Sequence, residues 1–138
     1  MISIVTKNEL PPRVLHLIQA ASDVMPRAYA PYSQFQVGAA LRTTDGHIFT
    51  GVNVENQSFG LTCCAERNAI FQAVAAGAHN FEAMALVVCG SRSVTPCGAC
   101  RQVMSEFVPD LTLYLCCTDS DIVTVTTLSN LFPDGFVL

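Results

Sequence analysis

Between Leu10 and Ala28, apolar side chains recur every three or four residues, at Leu10, Val14, Leu17, Ile18, Ala21 and Met25. That is the period of one helical face, and Pro11 and Pro12 are compatible with a first turn. Pro26, which lacks an N–H, is expected to kink or end this helix early. Phe35 to Leu41 and Ile48 to Val54 are β-rich runs on either side of Asp45-Gly46, a dipeptide suited to the positive φ of a tight turn, so they predict an antiparallel hairpin. Cys64 to Ala76 places Ala69, Ile70, Ala73 and Val74 on one stripe and meets Gly77, which predicts a second helix with a C-terminal glycine. Ala83 to Cys89 is continuously apolar over a strand's length, the pattern of a central strand covered on both faces.

After Pro96 and Gly98 a third helix is predicted, with Val103, Met104, Phe107 and Val108 facing inward and Pro109 at its end. Leu111 to Cys117 then alternates as a strand, which implies a parallel crossover from the preceding strand. Ile122 to Thr126 fits an edge strand, and Leu128 to Phe132 a short helical turn stopped by Pro133. Together these elements predict an α/β fold: a three-layer α-β-α sandwich around a mixed sheet of about five strands. No repeat, linker or low-complexity segment interrupts the chain, so residues 1–138 are expected to form one domain.

Composition narrows the function. The chain is 51% hydrophobic and 13% charged, yet no apolar run reaches the roughly 20 residues of a membrane span. The excess is expected to serve the core and a subunit interface. A net charge of −4 lacks the basic footprint that a nucleic-acid polymer requires. Seven cysteines, an odd number without the spacing of a secreted disulfide framework, point to reduced thiols. With no basic, apolar leader at the N-terminus, a cytoplasmic setting is expected.

The chemistry concentrates in Cys64-Ala65-Glu66 and Pro96-Cys97-Gly98-Ala99-Cys100. Both segments open predicted helices, where unpaired N–H groups and the positive end of the helix dipole favour thiolates. Cys97 and Cys100 share the first turn of one helix, and Cys64 can add a third sulfur from the other. Three ligands leave a zinc ion open to water, as catalytic sites do, whereas structural sites are usually closed by four. Three thiolates also leave the site negative, which calls for a positive neighbour. Arg67, one turn beyond Cys64, is placed to hydrogen-bond the sulfurs. Glu66, two residues from a ligand, can move protons. Cys63 is adjacent to Cys64 and able to replace it, whereas Cys89, Cys116 and Cys117 read as strand packing.

A ligand, one residue and a glutamate, followed later by Pro-Cys-x-x-Cys, is the signature of zinc nucleobase deaminases. The chain also carries Phe35-Gln36-Val37-Gly38-Ala39-Ala40, Gly51-Val52-Asn53-Val54-Glu55-Asn56, Arg101-Gln102-Val103 and Leu131-Phe132-Pro133-Asp134-Gly135-Phe136. In this order the segments resemble the short, homotetrameric cytidine deaminases along nearly the whole chain. The resemblance implies one Zn2+ per subunit on Cys64, Cys97 and Cys100, and attack of activated water on C4 of a free cytosine nucleoside. Glu66 would shuttle protons to N3 and to the leaving ammonia. Asn53 and Glu55 would bind the ribose hydroxyls, Phe35 would pack on the nucleoside, and the Ala65 N–H would meet the base carbonyl. Phe136 would reach a neighbouring subunit's site. Phe59 stands where many relatives have tyrosine, and the chain stops at Leu138 where relatives often continue with an acidic tail.

Without the resemblance, Asn53 and Glu55 read equally well as one solvated face of the hairpin. Two rival functions stand beside nucleoside deamination: deamination of another cytosine-containing small molecule, and a non-catalytic zinc module with Cys63 as fourth ligand.

Overall fold

The computed structural model describes all residues, 1–138. In chain order the elements are β1 (Ser3–Thr6), α1 (Pro12–Val24), β2 (Val37–Thr43), β3 (Ile48–Val52), α2 (Ala65–Ala75), β4 (Phe81–Val88), α3 (Gly98–Phe107), β5 (Thr112–Cys117), β6 (Ile122–Thr127) and α4 (Leu128–Leu131). Six strands form one sheet in the order β1-β6-β5-β4-β2-β3. β4 and β5 run parallel, joined through α3, while the other neighbours are antiparallel. The three-layer mixed architecture matches the reading of the sequence, and β4 lies inside the sheet as its apolar run requires.

Alternation along the strands builds the two cores. Ala40 of β2 and Ala83, Ala85 and Val87 of β4 pack under Val14, Leu17, Ile18 and Ala21 of α1. Their neighbours Ala39, Leu41, Met84, Leu86 and Val88 face the other way, against Ala69, Ile70 and Ala73 of α2 and Met104 of α3. Small residues on the α1 side let that helix approach closely. At Gly38 a Cβ would stand 2.0 Å from the Ala21 carbonyl oxygen. On the opposite face a Cβ at Gly51 would stand 2.4 Å from the Ala69 nitrogen and 2.5 Å from the Ala65 oxygen. These contacts fix the distances of α1 and α2 from the sheet, and therefore the start of α2, where the chemistry sits.

The hairpin turn follows the predicted chemistry, with Gly46 at φ 93° and its N–H bonded to the Thr43 carbonyl at 3.0 Å. Gly77, at φ 90°, ends α2 as expected. Pro26 lies in a 3-10 turn over Met25–Arg27 that follows α1.

Two local features differ from the expected pattern. The hairpin strands differ from the hydrophobic runs, with β2 displaced by two residues to Val37–Thr43 and β3 ending early at Val52. Beyond that point the Asn53 side chain, rather than a strand backbone, bonds the Phe35 carbonyl and the Val37 N–H. The other difference is a sixth strand, β1, within the expected count of about five; it is short and half exposed. Four residues carry too little alternation to be read locally, and this strand exists by pairing Ser3 to Thr6 with Val125 to Ile122.

Candidate metal centre and substrate cavity

The site forms where the start of β2 and the ends of β3 and β4 meet, since Val37 pairs with Val88 and Gly38 with Val52. The N-termini of α2 and α3 converge there. Cys64 is the N-cap of α2 and Cys97 the N-cap of α3, and neither side chain caps its helix. Their sulfurs therefore stay free for another partner. Cys100, in the first turn of α3, completes a cluster whose three Sγ atoms lie within 4.8 Å of one another. Cys64 Sγ and Cys97 Sγ are 3.8 Å apart. Tetrahedral zinc, with Zn–S of about 2.3 Å, separates its sulfurs by about 3.8 Å, the Cys64–Cys97 spacing, so the three thiols are gathered at the scale of that ion. The Cys63 thiol is outside the cluster, and burial pushes it up and keeps it protonated. Its backbone instead pairs with Val54 in both directions at 3.0 Å.

The Cys64 and Cys100 thiols are pushed in opposite directions. A hydrogen bond from the Cys100 thiol brings Cys64 down to about 5, with further help from Arg67 and Cys97. The same hydrogen bond, together with burial, holds Cys100 protonated. Arg67 Nη2 donates to Cys64 Sγ at 3.4 Å, which strengthens the guanidinium's hold on its own charge. Its Nε is buried without a hydrogen-bond partner, so the group is oriented by its sulfur contact. This is the positive neighbour expected from the charge count.

Glu66 follows on the first turn of α2 and is only 6% exposed. Burial raises its carboxyl to about 7, and the negative Cys64 beside it pushes the same way. A carboxyl poised between its two forms near neutrality is suited to take up a proton and return it. Glu66, Cys64, Cys97 and Ala65 line one side of a cavity of about 260 Å³. Ala65 is the first residue of α2, so its N–H has no intrahelical acceptor.

Phe35, Asn53 and Glu55 line the other side of the same cavity. The expected alternation of Asn53 and Glu55 on a strand is replaced by an irregular segment that aims both side chains at the 32–37 turn. Asn53 Nδ2 donates to the Phe35 carbonyl at 2.7 Å, and its oxygen accepts the Val37 N–H at 2.8 Å. Glu55 accepts from the Tyr32 and Ser33 N–H groups at 3.0 and 3.1 Å and from the Ser33 hydroxyl. These bonds hold Gln34 in the left-handed region at φ 57°. The reading as a merely solvated hairpin face fails, because Asn53 is buried and both residues organise the cavity wall.

Ser33, Val37, Thr62, Val94 and Thr95 also line the cavity and were not singled out in the sequence. Val94 and Thr95 directly precede the Pro96-Cys97 motif, which was the one available signal for them. Arg101, one residue past Cys100, anchors that approach by donating to the Pro96 carbonyl and to the Leu131 carbonyl, each at 2.7 Å. Phe136 is elsewhere. It is 69% exposed and borders a separate surface cleft together with Gln102, Val103 and Phe107 of α3, outside the cavity beside the thiols.

Residues 13–116 match the family model described as the cytidine and deoxycytidylate deaminase zinc-binding region. A cytidine deaminase from Halalkalibacterium halodurans is 49% identical over 121 residues, spanning 87% of this chain and 91% of that protein. A blasticidin-S deaminase from Bacillus cereus is 32% identical over 127 residues, 86% of this chain and 89% of that protein. The crystal structure of a cytidine deaminase from Burkholderia pseudomallei superposes with a TM-score of 0.84 at 50% identity, covering 88% of this chain and 98% of that one. Three clustered thiols, an adjacent buried carboxyl and likeness over most of the chain agree, and the protein belongs to the cytidine and deoxycytidylate deaminase family.

Proposed function

We propose that the protein hydrolyses the 4-amino group of cytidine and deoxycytidine, giving uridine or deoxyuridine and ammonia. The observation that carries this reading is the open cluster of three thiols on the wall of a nucleoside-sized cavity, next to the buried carboxyl of Glu66. Zinc bound by Cys64, Cys97 and Cys100 supplies the Lewis acidity that makes water nucleophilic near neutral pH. Glu66 takes the proton of the attacking water, passes it to ring N3, and delivers a further proton to the departing ammonia. Arg67 offsets the negative charge of the thiolates. Ala65 offers its N–H to the base carbonyl, Phe35 packs on the nucleoside, and Asn53 and Glu55 present polar groups to the ribose hydroxyls.

The exposure of Phe136 supports a shared site, in which this side chain completes the cavity of a neighbouring subunit in a homotetramer. Tyr32 and Phe59, exposed next to the cavity-lining Ser33, Glu55 and Thr62, supply apolar surface for such an assembly. The chain acts as one deaminase domain over residues 1–138, on free nucleosides in cytoplasmic pyrimidine salvage, not on polynucleotides or membranes.

Deamination of another cytosine-containing small molecule is the second reading, supported by the blasticidin-S deaminase likeness. A purely structural zinc module is disfavoured, because Cys63 does not join the cluster as a fourth ligand. The test is loss of the cytosine ultraviolet band on mixing with cytidine, before and after zinc removal. Turnover that vanishes with the metal and returns with it supports the assignment. A folded, zinc-replete assembly inert on both nucleosides would overturn it.

A further inference from the structure

At the end of β2 opposite the metal centre lies a second cavity, of about 280 Å³, bounded by the first turn of α1 and the starts of β4 and β5. Arg42 of β2 is its base. The residue is 5% exposed, yet it has no carboxylate partner and makes one hydrogen bond, from Nη2 to the Arg13 carbonyl. Arg13 also lines the cavity and pairs with Glu82, leaving one positive charge in excess. Burial and the repulsion of Arg13 both weaken the hold of Arg42 on its proton, against a smaller opposing influence of Tyr114.

Apart from Glu82, which is paired with Arg13, the polar side chains lining the cavity can donate. α1 runs for 13 residues, has no acidic residue in its first turn, and begins at Pro11 without a side-chain cap. Pro11 and Pro12 carry no N–H and the Val14 N–H bonds the Pro11 carbonyl, so this helix end contributes the positive pole of its dipole and not a row of free donors. The hydroxyls of Thr112 and Tyr114 line the cavity, and neither has an intramolecular partner. We propose that this cavity is a binding site for a small phosphate monoester, whose phosphoryl group sits on Arg42 and Arg13 at the N-terminus of α1. A phosphate carries nearly two charges and several acceptors, and it matches two guanidiniums and two hydroxyls better than a single carboxylate does. The cavity matches the catalytic one in volume, so there is room for a sugar-sized group beyond the phosphate.

Calorimetric titration of the zinc-loaded protein with inorganic phosphate and with ribose 5-phosphate tests the site, using ribose and sodium chloride of equal ionic strength as controls. Saturable binding of one ribose 5-phosphate per chain is expected, with none for ribose. Arg42→Gln should weaken it about tenfold or more, the loss of one charge-assisted hydrogen bond. Arg13→Gln, at a residue 61% exposed, should weaken it in the same direction and guards against a folding defect in the Arg42 variant. Unchanged affinity in Arg13→Gln and in folded Arg42→Gln, or heats no different from chloride, would overturn the proposal. So would dissociation of the assembly by Arg42→Gln with no phosphate binding in the parent, which would make the cavity a contact between copies. The readout does not involve the metal centre, so failure of the deaminase reading leaves it standing.

Discussion

The Asn53 side-chain amide donates to the Phe35 carbonyl at 2.7 Å, and through this bond a residue just past one strand shapes the approach to its neighbour. Its oxygen serves Val37, so a single buried side chain satisfies two backbone groups at the entrance to β2. Asn53→Ala should lower stability by about 1 to 3 kcal/mol, the cost of leaving buried polar groups unmet, and raise KM by loosening Phe35. Denaturant unfolding together with steady-state kinetics checks both effects. Normal stability with a raised KM would assign Asn53 to substrate contact alone.

Glu66→Gln keeps the volume of the buried side chain and removes its proton chemistry. Turnover should fall about 10²- to 10⁴-fold while zinc stays at one ion per chain. Metal analysis beside single-turnover rates separates this outcome from a folding defect. Retained activity would show that Glu66 is not the proton carrier.

Arg67 holds Cys64 Sγ at 3.4 Å, and its removal leaves the cluster with uncompensated charge. Arg67→Gln should weaken zinc binding about 10- to 100-fold, as measured by competition with a chromophoric chelator. Zinc affinity equal to that of the parent would reduce Arg67 to a packing residue.

The Glu55 carboxyl is held below its ordinary 4.5, chiefly by the Ser33 hydroxyl and then by the Ser33 and Tyr32 N–H groups. A depressed carboxyl stabilises the fold above its unfolded value, and that contribution is lost as pH falls through the folded one. KM for cytidine should therefore rise on acidification below about 4.5 as the 32–37 turn loosens. Glu55→Gln should show a raised KM that no longer changes across that window. The same acid dependence in Glu55→Gln would assign the effect to another group.

Gly51→Ala should destabilise by about 1 to 3 kcal/mol, because the added Cβ meets the α2 backbone at 2.4 Å. Thermal unfolding measures the loss. Reduced zinc retention is expected with it, since α2 carries Cys64 and Glu66 at its start.

Local pattern was enough for the elements whose chemistry is self-contained. The α1 stripe from Val14 to Ala21, the Asp45-Gly46 turn, the Gly77 stop and the continuous β4 run each express a preference that needs no distant partner. The metal ligands were legible for a related reason. Cys64, Cys97 and Cys100 open two helices, and a helix start is written locally in the chain, so their shared role was visible before their proximity was.

Other features depended on partners far away in sequence. β1 takes its strand form from β6, more than a hundred residues on. β3 stops at Val52 because Asn53 turns its side chain onto Phe35 and Val37, a contact no periodicity encodes. Ser33 and Thr62 join the cavity through the fold of their loops, and Arg42 becomes a buried, poorly compensated charge only once α1 covers β2. Residue type and spacing determined by themselves which atoms could hold a metal and move a proton. Burial decided what those atoms face, because solvent exclusion and hydrogen-bond satisfaction are properties of the packed chain as a whole.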